Sequence, residues 1–472
     1  MNKNKKIIII TIISLIVLTG IYLLYNTYAL TTKTTNNGDY YTINLTDSNI
    51  VSLAANEEKT VIYQINNTNN GTVSYGVAYN NSNVAVKVYS DSKDKVTGTI
   101  GANDNKYVKL HLKNKTSSNT TVEITTVMGY ENGGDLIVPS DSTLVTGTYT
   151  NSFSSYIVKL YNNSTKTAIT NNNIIYQYDT THNLMQDIAG NIRYYGASPK
   201  NYIYFNCDSY PSTNCELWRI IGVFDGKIKL MRNEIIGSYS WDTSASSVNS
   251  GNGVNEWSQA YLMKLLNPGH ESESVGGSLY YNSKSGTCYS DQSNATTSCN
   301  FTNTGIKNDT TRNMIAETTW NLGGWNTSNI YSNVMYEKER ETAVGDSSAD
   351  KITRTTTWTG KIAVPYPSDY GYATDLSKCS QKLYGYDNNT DSYACRSNDW
   401  MYQILGTSNN GWFLTPKSGV PYNSWAVNSN SYVMPNINCY NEFGVAPVLY
   451  LNPNQNVVGG NGSQNNPYQL KA

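Results

Sequence analysis

The chain has 472 residues, a formal net charge of −1 and 15% charged residues. No basic excess is present, which excludes an electrostatic footprint for nucleic acid or for an anionic membrane surface. The 40 tyrosines bring contact area with a polar tip, and all seven cysteines and all nine tryptophans follow residue 200.

Lys3, Lys5 and Lys6 precede an uncharged apolar run, Ile7 to Tyr25. Its length suits a transmembrane helix with the lysines on the cytoplasmic side. The rival is a signal peptide cut after Thr27-Tyr28-Ala29. The long apolar run favours the uncleaved anchor, over residues 1–29. Both place residues 31–472 outside, as a single-pass cell-membrane protein or, after cleavage, a secreted one.

Residues 31–145 contain no Cys, Trp or Arg. Alternating runs at Thr60–Ile65, Val73–Tyr79, Val84–Tyr89, Tyr107–Leu112 and Thr121–Val127 predict short strands at the spacing of a sandwich. Val108, Leu110 and Leu112 are expected to face the core, with Lys109 and His111 outward. In outline this is an immunoglobulin-like β-sandwich without its disulfide, acting as a stalk. Residues 134–155 are rich in Gly, Ser and Thr, and a linker is placed at 146–155 ahead of a second domain, 156–472.

In that second domain, Ile157–Tyr161 is expected to open as a short helix. Leu217–Phe224 and Lys227–Arg232, joined by Asp225-Gly226, predict a hairpin with a type I′ turn. Trp257–Leu266 has helical periodicity and stops at Asn267-Pro268-Gly269. Asp309–Trp320 is a second helix expectation, with Asp309 as its cap. Long irregular stretches follow, and Trp412–Tyr450 alternates polar loops with short strands. The fold class is therefore mostly β with irregular loops: an N-terminal transmembrane helix, a sandwich, then an α+β domain.

Spacing pairs Cys207 with Cys215, Cys288 with Cys299, and Cys379 with Cys395, each stapling a polar loop that packing alone does not hold. Cys439 is left over, either as a buried thiol or for pairing between chains. No C-x-x-C occurs and no His lies near a pair, which argues against zinc.

Glu216–Val223, the helix Trp257–Leu266, Gly411–Leu414, Trp425–Asn428 and the closing Phe443–Tyr450 together resemble the bacterial branch of the C-type-lectin-like superfamily. That branch includes formylglycine-generating-enzyme-like domains and major paralogous domains of surface proteins. The resemblance spans about residues 156–470. It implies a short strand paired with a closing C-terminal strand, two flanking helices and a long loop region that binds ligands. The calcium signatures Glu-Pro-Asn, Gln-Pro-Asp and Trp-Asn-Asp of the lectins are absent, and each paired Cys has a local partner where the formylglycine-generating enzymes use an active-site pair.

Catalytic motifs are scarce. His111, His182 and His270 are the histidines. No H-E-x-x-H or G-x-S-x-G occurs, and no His follows Gly345-Asp346-Ser347, so a hydrolase triad in that order is excluded. A Cys–His nucleophile would need Cys439. Glu337, Glu339, Glu341 or Asp369 could serve as paired carboxylates on a glycan, although Glu337–Glu341 also reads as a solvated acidic stretch. Asp387, Asn389 and Asp391 place oxygens at alternate positions inside the Cys379–Cys395 loop, like the start of a calcium loop, but without the Gly and Glu that complete one. The expectation is no cofactor: these residues equally form a polar loop tip, and calcium is the one ion they could take.

Binding-type residues are plentiful. Trp412, Trp425, Tyr432, Asn436, Asn438, Tyr440 and Glu442 lie in the segment that supplies the ligand face in lectin-like folds. Asn436, Asn438 and Tyr440 alternate with Ile437 and Cys439, so an extended chain puts the polar set on one face. Trp218, Trp320 and Trp412 equally suit a core. The expectation is a non-catalytic cell-surface adhesion protein that recognises an extracellular glycan, peptide or host surface. The alternatives are a self-assembling envelope protein and a glycan-modifying enzyme.

Overall fold

The structure is a computed structural model. It describes residues 27–37, 40–45, 50–67, 70–89, 92–131, 136, 138–149, 152–244, 253–291, 294–341, 354–386, 390–407, 410–429 and 432–471. The chain is mostly β and divides into two compact units, 1–151 and 152–472. The apolar run Ile7–Tyr25 lies outside the described residues. Among those residues, no helix is long and apolar enough to cross a membrane.

The first unit consists of two sheets sharing one core. One sheet runs in the order Thr148–Tyr149, Val84–Tyr89, Asn105–Asn114, Glu58–Asn66, Thr27–Asn37, Tyr40–Leu45. The other orders Thr143–Leu144, Val73–Tyr79, Thr120–Glu131 and Ile50–Leu53. Alternation puts Val61, Tyr63, Val108, Leu110 and Leu112 of the first sheet against Val73, Val77, Val122 and Ile124 of the second. His111 departs from its expected outward position and is buried. The parallel strand Thr148–Tyr149 joins the sheet's edge beside Val84–Tyr89, and the Tyr149 ring stacks on the imidazole at 3.4 Å. The stretch expected to be a linker, 146–155, thus contributes the short strand Thr148–Tyr149 to the first sheet.

The second unit opens with helix α1 (Phe153–Asn162), capped by Ser152, whose hydroxyl accepts from the Ser155 amide. Its central sheet holds the hairpin β1 (Glu216–Phe224) and β2 (Lys227–Arg232). Asp225 and Gly226 turn it with φ of 46° and 72°, the left-handed pair that a type I′ turn requires. β2 then pairs antiparallel with a strand from the far end of the chain, Val448–Tyr450. Helix α2 (Tyr261–Leu266) follows a 3₁₀ turn at Trp257–Gln259. Helix α3 (Asp309–Met314) is shorter than expected, because Thr318–Asn321 leaves it to pair as a strand with Thr357–Gly360. Its cap is Asn308, whose side chain accepts from the Thr311 amide, and not Asp309. Two further helices, α4 (Ser332–Lys338) and α5 (Pro367–Ala373), pack together beside the central sheet.

A second, five-stranded sheet runs in the order β3 (Ser238–Ser240), β7 (Glu442–Gly444), β4 (Gly411–Pro416), β5 (Asn423–Val427), β6 (Val433–Asn438). Disulfides Cys207–Cys215, Cys288–Cys299 and Cys379–Cys395 are all formed, and Cys439 is a buried free thiol.

Candidate functional site

The sequence-predicted binding residues are distributed over the five-stranded sheet, and the sheet sorts them. Trp412 and Trp425 are completely buried. β4 and β5 are inner strands covered on both faces, so their indoles fill the core and present no ring to a ligand. Each indole N–H is satisfied internally, Trp412 by the Tyr239 carbonyl at 2.8 Å and Trp425 by the Trp325 carbonyl at 3.1 Å.

The remaining five stay at the surface. On edge strand β6, Asn436 is exposed and accepts from the Lys417 ammonium at 2.5 Å. Asn438 is half-buried and donates to the Tyr440 hydroxyl at 3.3 Å. Half-buried Tyr432 meets the exposed ring of Tyr384 at 5.9 Å. The strand ends at Asn438, and Cys439 and Tyr440 lie in the turn that follows, so the extended segment expected over Asn436–Tyr440 stops short; Ile437 and Asn438 are both half-buried and Cys439 is buried. Glu442 is exposed on β7, three strands away from β6 in the sheet, so it belongs to a different part of the surface.

Next to Ser240, which pairs with Glu442 across β3 and β7, the chain forms a shallow recess whose lining includes Tyr239, Ser240, Tyr261, Leu265, Cys288 and Tyr289 but not Glu442 itself. Its enclosed volume is about 10 Å³, roughly the room of one water molecule. Tyr261, at the start of α2, and Tyr289, beside Cys288, are half-exposed and stacked at 3.7 Å. Ser290 donates to the Glu442 carboxylate at 2.5 Å, and the Ser240 hydroxyl donates to the Tyr440 carbonyl at 2.5 Å. The Cys288–Cys299 hairpin, Ser285–Tyr289 with Thr296–Asn300, fixes this wall. Sequence reasoning did not reach Tyr261, Tyr289 or Ser290. The available signal was an aromatic flanking each of two features already recognised, the helix start and the stapled loop.

Of the calcium candidates, Asp387 and Asn389 lie outside the described residues, and Asp391 falls in helix Thr390–Arg396. Among the described residues, no group of three or more His, Cys, Asp or Glu side chains is arranged to hold a metal ion. The free thiol of Cys439 is fully buried, and burial together with nearby Asp242 pushes it well above the usual thiol range. It is neither a reactive thiolate nor accessible to another chain in this fold.

The second unit also holds a cluster of ionised side chains deep in its core. Asp369, in the first turn of α5, accepts from Arg193 Nη1 at 2.9 Å and from Lys229 Nζ at 2.5 Å. Asp187 accepts from Arg193 Nε at 2.6 Å. Lys229 and Asp369 have no exposed side-chain surface. Lys229 Nζ lies 4.5 Å from the centre of the Tyr366 ring, 5.3 Å from Phe224, and 5.5 Å from Trp320 and Tyr450. Burial pushes the lysine down to about 8, even with Asp369 opposing the shift. Burial alone would raise Asp369, but Lys229 and Arg193 outweigh it and hold the carboxyl below its usual range.

Next to this group, Glu339 is completely buried, which corrects its place in a solvated acidic stretch. It accepts from the Ser368 amide at 2.8 Å, from the Ser368 hydroxyl at 2.5 Å, and from Arg340 Nη1 at 3.1 Å. Burial pushes it up to about 7. Glu337 is exposed and Glu341 half-buried, so the three glutamates do not converge.

No protein-family model matches the sequence, and no curated protein is significantly similar to it.

Proposed function

We propose that the chain is a cell-surface binding protein without catalytic activity, in which an immunoglobulin-like sandwich carries an α+β, C-type-lectin-like head that recognises an extracellular glycan. The supporting observation is the stacked Tyr261–Tyr289 pair lining one recess, with the exposed Glu442 carboxylate held beside it by Ser290, the residue after Tyr289. Tyrosine combines flat apolar area with a hydroxyl tip and has few rotors to freeze, and a carboxylate accepts from vicinal hydroxyl groups. The recess is shallow, which suits the edge of an extended polymer better than an engulfed small molecule. The polar edge at Asn436, Asn438 and Tyr432 offers a second, adaptable contact surface. The apolar run at Ile7–Tyr25 is the basis for the membrane attachment in this reading.

The test is binding of the purified, oxidised chain to a glycan array with a matrix-protein panel alongside, repeated for Tyr289→Ala and Glu442→Ala. Saturable glycan binding that weakens at least tenfold in both variants, with unchanged melting, is the expected result. A blank glycan array, or binding indifferent to both substitutions, overturns it; a hit on the protein panel alone replaces the glycan with a protein ligand.

A further inference from the structure

We propose that Lys229 and Asp369 are joined by an amide bond that the folded chain makes on itself, an internal cross-link between strand β2 and helix α5. The two side chains touch through Nζ and Oδ2 at 2.5 Å and are wholly inaccessible to solvent. Groups sealed in this way act on each other, not on a ligand.

The surroundings supply what condensation needs. Nζ makes one hydrogen bond among the described residues, to Asp369, and is otherwise enclosed by aromatic rings. An ammonium has three N–H donors, so two are left without an oxygen acceptor, and the charged form is held at a cost that neutral groups avoid. Transfer of one proton along the Nζ–Oδ2 contact gives a neutral amine beside a neutral carboxyl group. The amine lone pair attacks Asp369 Cγ, and charge develops on Oδ1. Arg193 Nη1, 2.9 Å from Oδ1, stands where that charge is stabilised. Arg193 is itself fixed by Asp187 through Nε. The nitrogen then gives a second proton to Oδ2, the Cγ–Oδ2 bond breaks and water leaves. Overall, an ammonium and a carboxylate become one amide and one water; nothing is oxidised or reduced.

Holding the partners in contact replaces an encounter in solution with an effective concentration of up to about 10⁵–10⁸ M, enough to drive an amide that does not form between free ions in water. The charge balance afterwards is also favourable. Asp187 stays with Arg193 and Glu339 with Arg340, so the other two cations of this cluster each keep a carboxylate. The disulfides close loops of 8, 11 and 16 residues, whereas Lys229 and Asp369 are 140 residues apart. The cross-link would be the long-range covalent tie that the disulfides do not provide, and it survives reducing conditions.

The test is mass spectrometry of the purified full chain after reduction and denaturation, with a tryptic map. The expected intact mass is one water below that of the sequence, with a branched peptide containing Lys229 and Asp369 and no cleavage after Lys229. The Lys229→Arg variant keeps the positive charge but should return to the full sequence mass. A wild-type mass with no water lost, unbranched peptides bearing Lys229 and Asp369, or a water loss that persists in Lys229→Arg would each overturn the proposal. The wild-type map decides the matter even if the variant does not fold.

Discussion

Trp412 on β4 donates its indole N–H to the main-chain carbonyl of Tyr239 on β3, two strands away in the same sheet, at 2.8 Å. One side chain therefore fastens the middle of the five-stranded sheet to its edge, and β3 also borders the Tyr261–Tyr289 recess.

Truncating that fastening should be costly. Trp412→Ala is expected to destabilise the second unit by about 3–5 kcal/mol, the usual range for a buried tryptophan. Glu442→Ala, at an exposed position, should stay within about 0.5 kcal/mol. Urea melts of the two variants check this; equal midpoints would show that Trp412 is not a core residue.

The buried carboxyls give a pH signature. Burial raises Asp399 from 3.8 to about 7, against donors from Thr374, Met401 and Tyr402 that partly offset it. The native state then holds this proton more tightly than the unfolded chain. Its contribution to stability is fullest below about pH 4 and declines as pH rises to about 7, by on the order of a few kcal/mol in all. Asp399→Asn retains an acceptor for the two amides and should flatten that part of the profile. A stability–pH curve between 4 and 7 that is the same in the variant would refute the assignment.

Gly222 should not tolerate a side chain. It lies opposite Arg193 in the β1 pairing, at the irregularity between Ile220 and Gly222, and a Cβ there would stand 2.3 Å from the Ile192 carbonyl oxygen. Gly222→Ala is expected to cost about 1–3 kcal/mol by pushing the Arg193 strand away. Chemical denaturation reads this directly, and a neutral result would mean that the strands separate freely at this point.

The cysteines should behave in two ways. Removing the Cys379–Cys395 bridge, which closes 16 residues, is expected to lower stability by about 3 kcal/mol. Cys439 should resist a thiol reagent under native conditions and label stoichiometrically in denaturant. Rapid native labelling would show that the thiol is open to solvent.

Local features were the most legible in the sequence. The Asp225-Gly226 hairpin and the three cysteine pairs depend on residues close together in the chain, where turn chemistry and loop length decide the outcome. The strands of the first unit showed by alternation. Trp412 and Trp425 were harder, because an aromatic in a strand looks the same whether its neighbours cover it or solvent does. Asp309 lost its capping role to Asn308, a shift of one residue that the periodic pattern does not resolve. The buried ionic cluster was the least legible: Arg193 meets Asp369 across 176 residues. The hint was a lysine set within the apolar pattern of β2, Ile228-Lys229-Leu230-Met231, and nothing local named its partner. Glu339 misled for the same reason, since its acidic neighbours concealed a side chain turned inward toward Ser368.

The pairing of β2 with Val448–Tyr450 also bears on how the protein is made. β2 waits for a partner that is synthesised much later in the chain, and Ile203 likewise bridges to Tyr468. The second unit cannot close its central sheet until Val448–Tyr450 has emerged. Until then β2 keeps an unpaired edge, open to proteases and chaperones. A product that stops before Val448 would remain in that state, so the fold itself marks such fragments for removal.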